Sequence, residues 1–286
     1  MRSPSGEQLE IAFGDQRAVV TEVGAGLRTY SVDGRQILDG YSDREIAPSG
    51  RGQVLLPWPN RIADGRYEFG GEERQLPVNE PETGCAIHGL VRWGAWTVSE
   101  REAHRVVVHH TLHPQPGYPF ALALGIEYAL SEDGLRVSTT ATNVGVDPCP
   151  YGAGAHPYLC PGTPTVDTAV LRVPARTVLD VGSVDGTEFD FRSGRPVGET
   201  RLDHCFTDLE RDDDGLARVT LGGTTLWAGE AYGYLMLYTG DGRPDVSRRS
   251  LAVEPMTCPP HAFRTGESVI VIEPGDSVES AWGLAP

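Results

Sequence analysis

Short apolar runs, rich in β-branched residues, alternate along the chain with breaks of glycine, proline, asparagine and aspartate. That pattern predicts strands and turns rather than helices. The first three runs fall at 9–13, 18–23 and 27–32, divided by Gly14-Asp15 and Gly24-Ala25-Gly26 and followed by a hairpin turn at Asp33-Gly34. A short hairpin is expected from 65–69, returning through Gln75. The pattern is clearest at 105–112, 121–130 and 135–143, where Asp133-Gly134 is a two-residue hairpin signal. Further strands are expected at 169–173, 219–226 and 234–239. Leu251 and Val253 mark another, with Glu254 at its end and Pro255 fixing the exit. A last pair, 268–273 and 277–282, would turn at Pro274-Gly275-Asp276. Loops are expected at 42–52, 184–198 and 241–249, with a solvated hairpin tip at 210–215. No helical period, internal repeat or linker emerges.

Composition narrows this reading. The 286 residues include Gly 35 and Pro 22, spread along the chain as many turns require. All-β folds of this size are often one domain, so residues 1–286 are expected to form a single all-β domain. The formal charge is −16 and every Lys/Arg position is arginine, which argues against nucleic acid or an anionic membrane as partner. A small anionic ligand held by a local arginine pair stays compatible with it. The first residues lack the apolar core of a secretion signal and no apolar run spans a membrane. Cys85, Cys149, Cys160, Cys205 and Cys258 are odd in number and contain no Cys-x-x-Cys pair, so neither a disulfide framework nor a structural zinc site is expected. The expected location is the cytoplasm.

Five stretches carry candidate chemistry. Gly152-Ala-Gly-Ala-His156-Pro-Tyr158 sets a histidine between glycines that allow close approach and a proline that fixes the backbone. His156 is either a satisfied core histidine or a ring offered to a pocket, and His88, before Gly89, is placed in a similar way. In Leu55-Leu-Pro-Trp58-Pro-Asn60-Arg61-Ile62 two prolines forbid a regular helix or an interior strand, predicting a rigid, partly buried loop that presents Trp58, Asn60 and Arg61. Asp203 is a turn former or a site acid, and Glu254 a structural ion pair or a site carboxylate. His109-His110-x-x-His113 is not expected to bind metal, because neighbours in a strand point to opposite faces. The Gly-x-Gly before His156 is not a nucleotide loop, since Pro157, Pro161 and Pro164 exclude the helix such a loop needs.

Taken together, Pro57-Trp-Pro-Asn-Arg61-Ile, Ile87-His88-Gly-Leu, Gly154-Ala-His156-Pro-Tyr158, Asp203-His-Cys-Phe206 and Val253-Glu254-Pro-Met-Thr257 resemble the aldose 1-epimerase (galactose mutarotase) family. They occur in the family's order across residues 57–257. The resemblance implies a single large antiparallel β-sandwich, the galactose mutarotase-like supersandwich, with a sugar cleft lined from one sheet. It further implies His156 as general acid, Glu254 as general base, and Arg61, His88 and Asp203 as residues holding the sugar. Leu159 and Pro260-His261-Ala-Phe263 depart from the usual pattern without touching the proposed acid or base.

The residue types suit the chemistry. Anomer exchange removes a proton from the C1 hydroxyl, gives one to the ring oxygen, and reverses both after rotation. A carboxylate and an imidazolium suffice, so neither a metal nor another cofactor is expected. Trp58 and Tyr158 are candidate platforms for the sugar ring, with Trp58 equally readable as core. The expected partner is a small aldose, and the chain a monomer or homodimer. Three rivals remain: a hexose-6-phosphate 1-epimerase using Arg61, Arg92, Arg248 and Arg249; a glycoside hydrolase using Asp203 and Glu254; and a non-catalytic carbohydrate-binding β-sandwich.

Overall fold

The structure, a computed structural model, describes residues 3–244 and 246–286. Met1 and Arg2, and Asp245 inside the loop expected at 241–249, lie outside the described residues.

Antiparallel sheets build the molecule as a β-sandwich. The larger has nine strands in the order Thr97–Arg101, Arg105–Leu112, Leu122–Ser131, Gly134–Asn143, Ser277–Ala285, Thr224–Ala228, Ala217–Leu221, Val170–Arg172 and Arg195–Pro196. Leu122–Ser131 shows why these residues pair as they do. Its burial alternates strictly, so Leu122, Leu124, Ile126, Tyr128 and Leu130 enter the core while their neighbours face outward. The eight-stranded sheet runs Gly182–Ser183, Ala175–Val178, Asp203–Leu209, Tyr234–Tyr238, Leu251–Met256, Gly154–Ala155 and Val54–Leu55, with Tyr158–Leu159 also pairing to Leu251–Met256. A four-stranded meander, Gln8–Phe13 through Arg35–Gln36, precedes them. One continuous hydrophobic core draws residues from Leu9 to Leu284. Among the described residues no helix is long and apolar enough to cross a membrane.

Four expectations need correction. The strand expected at 219–226 is a hairpin, Ala217–Leu221 and Thr224–Ala228, turning at Gly222-Gly223 inside the apolar run. Glu254 does not end its strand. Leu251–Met256 continues through Pro255, and all six residues are buried, the mark of a strand covered on both faces. Asp203 opens the strand Asp203–Leu209 rather than sitting in a turn. The segments near 268–273 and 277–282 do turn at Pro274-Gly275-Asp276, yet they do not pair with each other. Ile270–Ile272 pairs with Cys149–Tyr151, and Ser277–Ala285 joins the large sheet.

Candidate active site

Sheet register assembles the site. Gly154 pairs with Met256 on one side and Leu55 on the other. Because side chains alternate with period two, two residues further along His156 lies level with Glu254 and with Gln53 on the same face. The backbone confirms this: the His156 N–H donates to the Gln53 carbonyl at 3.0 Å and the Val253 N–H to the Pro157 carbonyl at 3.1 Å. Met236 stands opposite Glu254, and Cys205 opposite Met236. One row across the sheet therefore reads Gln53, His156, Glu254, Met236, Cys205. A second row, two residues away, reads Tyr158, Ala252, Tyr238, Asp203. Gln53, His156, Glu254 and Met236 of the first row and Tyr158, Tyr238 and Asp203 of the second line a cleft of about 500 Å³.

The glycines around His156 make this close approach possible. A Cβ on Gly152 would meet Cys258 Sγ at 2.5 Å, and one on Gly154 would meet Pro59 Cβ at 2.8 Å. From the other side Gly50 lies against the imidazole itself, where a Cβ would come within 2.8 Å of His156 Cδ2.

His88 and Arg61 reach the cleft by a separate pairing. Arg61–Ala63 runs antiparallel to Cys85–Ile87, with Arg61 opposite Ile87. Asn60 and His88 both adopt left-handed backbone, φ 51° and 62°, uncommon for residues with a Cβ. Their conformations are locked together: the His88 N–H donates to the Asn60 carbonyl at 2.9 Å, and Asn60 Oδ1 accepts from the Arg61 N–H at 2.9 Å. Asn60 thus shapes the corner that delivers Arg61 and His88, while also lining the cleft.

At the cleft floor His156 Nε2 lies 3.3 Å from Glu254 Oε1, with both side chains buried. His156 Nδ1, Glu254 Oε2 and His88 Nδ1 have no partner among the described residues. The Tyr158 ring stacks on His156 with centroids 5.0 Å apart and planes 7° from parallel, and its hydroxyl donates to the Ser49 carbonyl at 3.0 Å. The His88 ring meets His156 edge-on at 5.3 Å. Burial governs the ionisation of this cluster. Desolvation pushes the His156 pKa down to about 3, and the charges of Arg92 and Arg51 lower it further. Burial likewise holds His88 well below the usual imidazole range, with help from His156, Arg92 and Arg61. Glu254 moves the other way, raised well above the ordinary carboxyl value by burial and by Asp203, with Arg61 opposing. Burial therefore shifts both groups toward their uncharged forms, a neutral imidazole facing a carboxyl group across the 3.3 Å contact.

The expected sugar-binding residues divide. Arg61, His88, Asp203, Asn60 and Tyr158 line the cleft with His156 and Glu254. Trp58 does not. It is 2% exposed and packs on Phe263 at 5.7 Å, so its indole fills the core and is no platform for a sugar. Tyr158 supports His156 rather than a sugar face. Arg61 is gripped through both forks by Glu80, 2.6 Å from Nε and 2.9 Å from Nη2, which fixes its direction. Asp203 stands at the cleft edge near Arg61, with its pKa raised by partial burial against the opposing pull of that arginine.

Of the arginines considered for a phosphate, Arg248 is tied to Asp167 and Asp241, and Arg249 to Asp39, away from the cleft lining. Arg61 and Arg92 remain.

Sequence reasoning missed Gln53, Glu80 and Arg51. Gln53 is 2% exposed, lines the cleft, and neither side-chain amide atom has a partner. Its only sequence signal was a polar residue directly before the apolar Val54-Leu55. Arg51, also 2% exposed, lies over the Tyr158 ring at 5.0 Å and pairs with Asp39 at 3.1 Å.

His88, His156 and Glu254 also offer donor atoms all within 4.8 Å of one another, a set able to hold a divalent metal once Glu254 ionises.

Comparison with known proteins places this geometry in context. The family model described as "Aldose 1-epimerase" matches residues 7–284. An Escherichia coli K12 protein named as uncharacterized, YihR, is 35% identical over 289 residues, covering 95% of this chain and 90% of that protein. The aldose 1-epimerase of the same organism is 28% identical over 191 residues, 57% of this chain and 54% of its own length. A solved GalM/aldose epimerase homologue from C. elegans superposes with a TM-score of 0.83 at 20% identity, covering 98% of each chain.

Proposed function

The chain belongs to the aldose 1-epimerase family, a family of isomerases, and from that membership we propose that it interconverts the α and β anomers of a hexose. In this reading His156 is the acid and Glu254 the base of ring opening, and they exchange roles on closure. The observation that carries it is the contact of His156 Nε2 with Glu254 Oε1 at 3.3 Å, buried at the floor of a cleft. The hydroxyl oxygen and the ring oxygen of a pyranose are bonded to one carbon, so the groups serving them must stand about this close. One proton on the pair is what the reaction needs. Opening requires it on His156, and sugar hydroxyls bonded to Glu254 favour the carboxylate that leaves it there.

Arg61 and Asp203 offer donors and acceptors to neighbouring hydroxyls, His88 a further ring nitrogen, and Gln53 an unpaired amide. A glycoside hydrolase fits less well. A histidine rather than a second acid meets Glu254. The same reading has residues 1–286 acting as one domain, as monomer or homodimer, in the cytoplasm. The continuous core and five unpaired cysteines support it.

Polarimetry on freshly dissolved α-glucose and α-galactose tests the proposal. The protein should speed the approach to anomeric equilibrium in proportion to its concentration. Saturable sugar binding with no effect on optical rotation would make it a non-catalytic binding module instead.

A further inference from the structure

Gln53 is 2% exposed, yet neither Oε1 nor Nε2 of its side chain has a partner. Among the described residues it is the only buried side chain with two such atoms. Its backbone is held on both sides. The Gln53 N–H donates to the Gly50 carbonyl at 3.0 Å, and its own carbonyl accepts from the His156 N–H at 3.0 Å. The side chain therefore starts from a fixed origin, next to the single turn Pro48–Gly50, and lines the cleft beside His156. A buried amide with nothing to accept from it or donate to it is costly, because both its groups have given up water. That cost is offset when a ligand supplies the missing bonds.

We propose that Gln53 is a specificity-determining residue that binds the hydroxyl on C6 of a neutral hexose. This rests on the epimerase reading, and the position on the sugar follows from sheet register. Gly154 pairs with Leu55 and with Met256, so His156 stands between Gln53 and Glu254 in one row across three neighbouring strands. Successive members of the row are about 4.8 Å apart at the backbone. Glu254 serves the C1 hydroxyl and His156 the ring oxygen. In a pyranose with equatorial substituents O1, C1, O5, C5 and C6 run out as one extended zigzag, with the ring oxygen at its middle. With O1 at Glu254 and O5 at His156, the next member of the row, Gln53, meets C6 and its hydroxyl. The other end of the row differs. Beyond Glu254 stands Met236, whose thioether has no proton to give and accepts only weakly. An amide and a hydroxyl are also matched in kind, since each both donates and accepts. An ionised oxyanion at C6 would use only the Nε2 half of the amide, and a methyl group neither half.

Anomeric exchange is measured by NMR, after subtracting the spontaneous rate, for glucose, 6-deoxyglucose and 2-deoxyglucose with wild type and Gln53→Met. In the wild type, kcat/KM for glucose should exceed that for 6-deoxyglucose tenfold or more, because a methyl group leaves the amide buried and unpaired. Gln53→Met keeps the length of the side chain and removes the amide. It should cut the ratio of glucose to 6-deoxyglucose at least fivefold and leave the ratio of glucose to 2-deoxyglucose where it was. Its Tm should not fall, since no hydrogen bond within the protein is lost. Gln53→Met lowering all three sugars by one factor would overturn the proposal and make the amide a support for His156. A change confined to the 2-deoxyglucose ratio would overturn it too, by placing Gln53 at the other side of the ring. Should Gln53→Met not fold, the wild-type ratio decides alone. If the wild type accelerates glucose without preferring it to 6-deoxyglucose, the contact fails and the epimerase reading stands. If it accelerates no sugar, both fail.

Discussion

Replacing Glu254 by glutamine separates catalysis from folding. The amide keeps the shape of the side chain and loses the ability to exchange a proton. Positioned proton transfers contribute ~10²–10⁴-fold in rate, so Glu254→Gln should cost about 3–5 kcal/mol of transition-state stabilisation. Stability should move in the opposite direction. Glu254 is buried and its folded pKa lies well above the ordinary carboxyl value of 4.5. Between 4.5 and the raised value the unfolded chain has released this proton while the folded protein still holds it, so wild-type stability falls as pH rises. The slope is about 1.4 kcal/mol per pH unit, or at most about 3.4 kcal/mol by pH 7. Glutamine carries no such loss. The hydrogen bond it gives up with His156 offsets about 1 kcal/mol of the gain. Thermal melts of both proteins from pH 4.5 to 7, beside polarimetric rates, provide the assay. The Tm of Glu254→Gln should rise relative to wild type with pH while its mutarotation stays at least a hundredfold slower. A variant that is destabilised equally at every pH would show Glu254 to be a structural anchor and refute the reasoning. A folded variant with wild-type rates would remove Glu254 from the mechanism.

The pH profile of kcat/KM should be a broad bell whose limbs follow from burial. The acidic limb comes from a second proton entering the pair at His156, depressed to about 3, and the alkaline limb from loss of the last proton at Glu254, which is raised. This reverses the assignment that unperturbed pKa values give, and a sharp acidic limb near pH 6 would contradict it. Gly50→Ala would place a methyl 2.8 Å from the His156 ring at a backbone φ of 76°. It should lower kcat tenfold or more with Tm reduced by only a few degrees, and unchanged kcat would show that the ring has room to shift. Dialysis against EDTA should leave mutarotation intact; loss of activity restored by a divalent cation would turn His88, His156 and Glu254 into a metal centre.

The alternation of apolar and polar residues determined the all-β class, because a strand with one covered face repeats every two residues and that repeat needs no knowledge of its partners. Leu122–Ser131 and Gly134–Asn143 were legible for this reason. The hairpin at Gly222-Gly223 was not, since its apolar residues run almost unbroken across the turn. The residues carrying chemistry were legible as types in unusual settings: His156 before a proline, His88 before a glycine, Arg61 after two prolines. Their convergence was not, because register between distant strands is set by pairing partners that no local pattern names. Only the tertiary structure could bring Gln53, His156 and Glu254 into one row and send Trp58 into the core. Only burial could shift the acid/base pair toward a neutral imidazole and a protonated carboxyl. Desolvation depends on what surrounds a group in space, and neighbours along the chain do not reveal it.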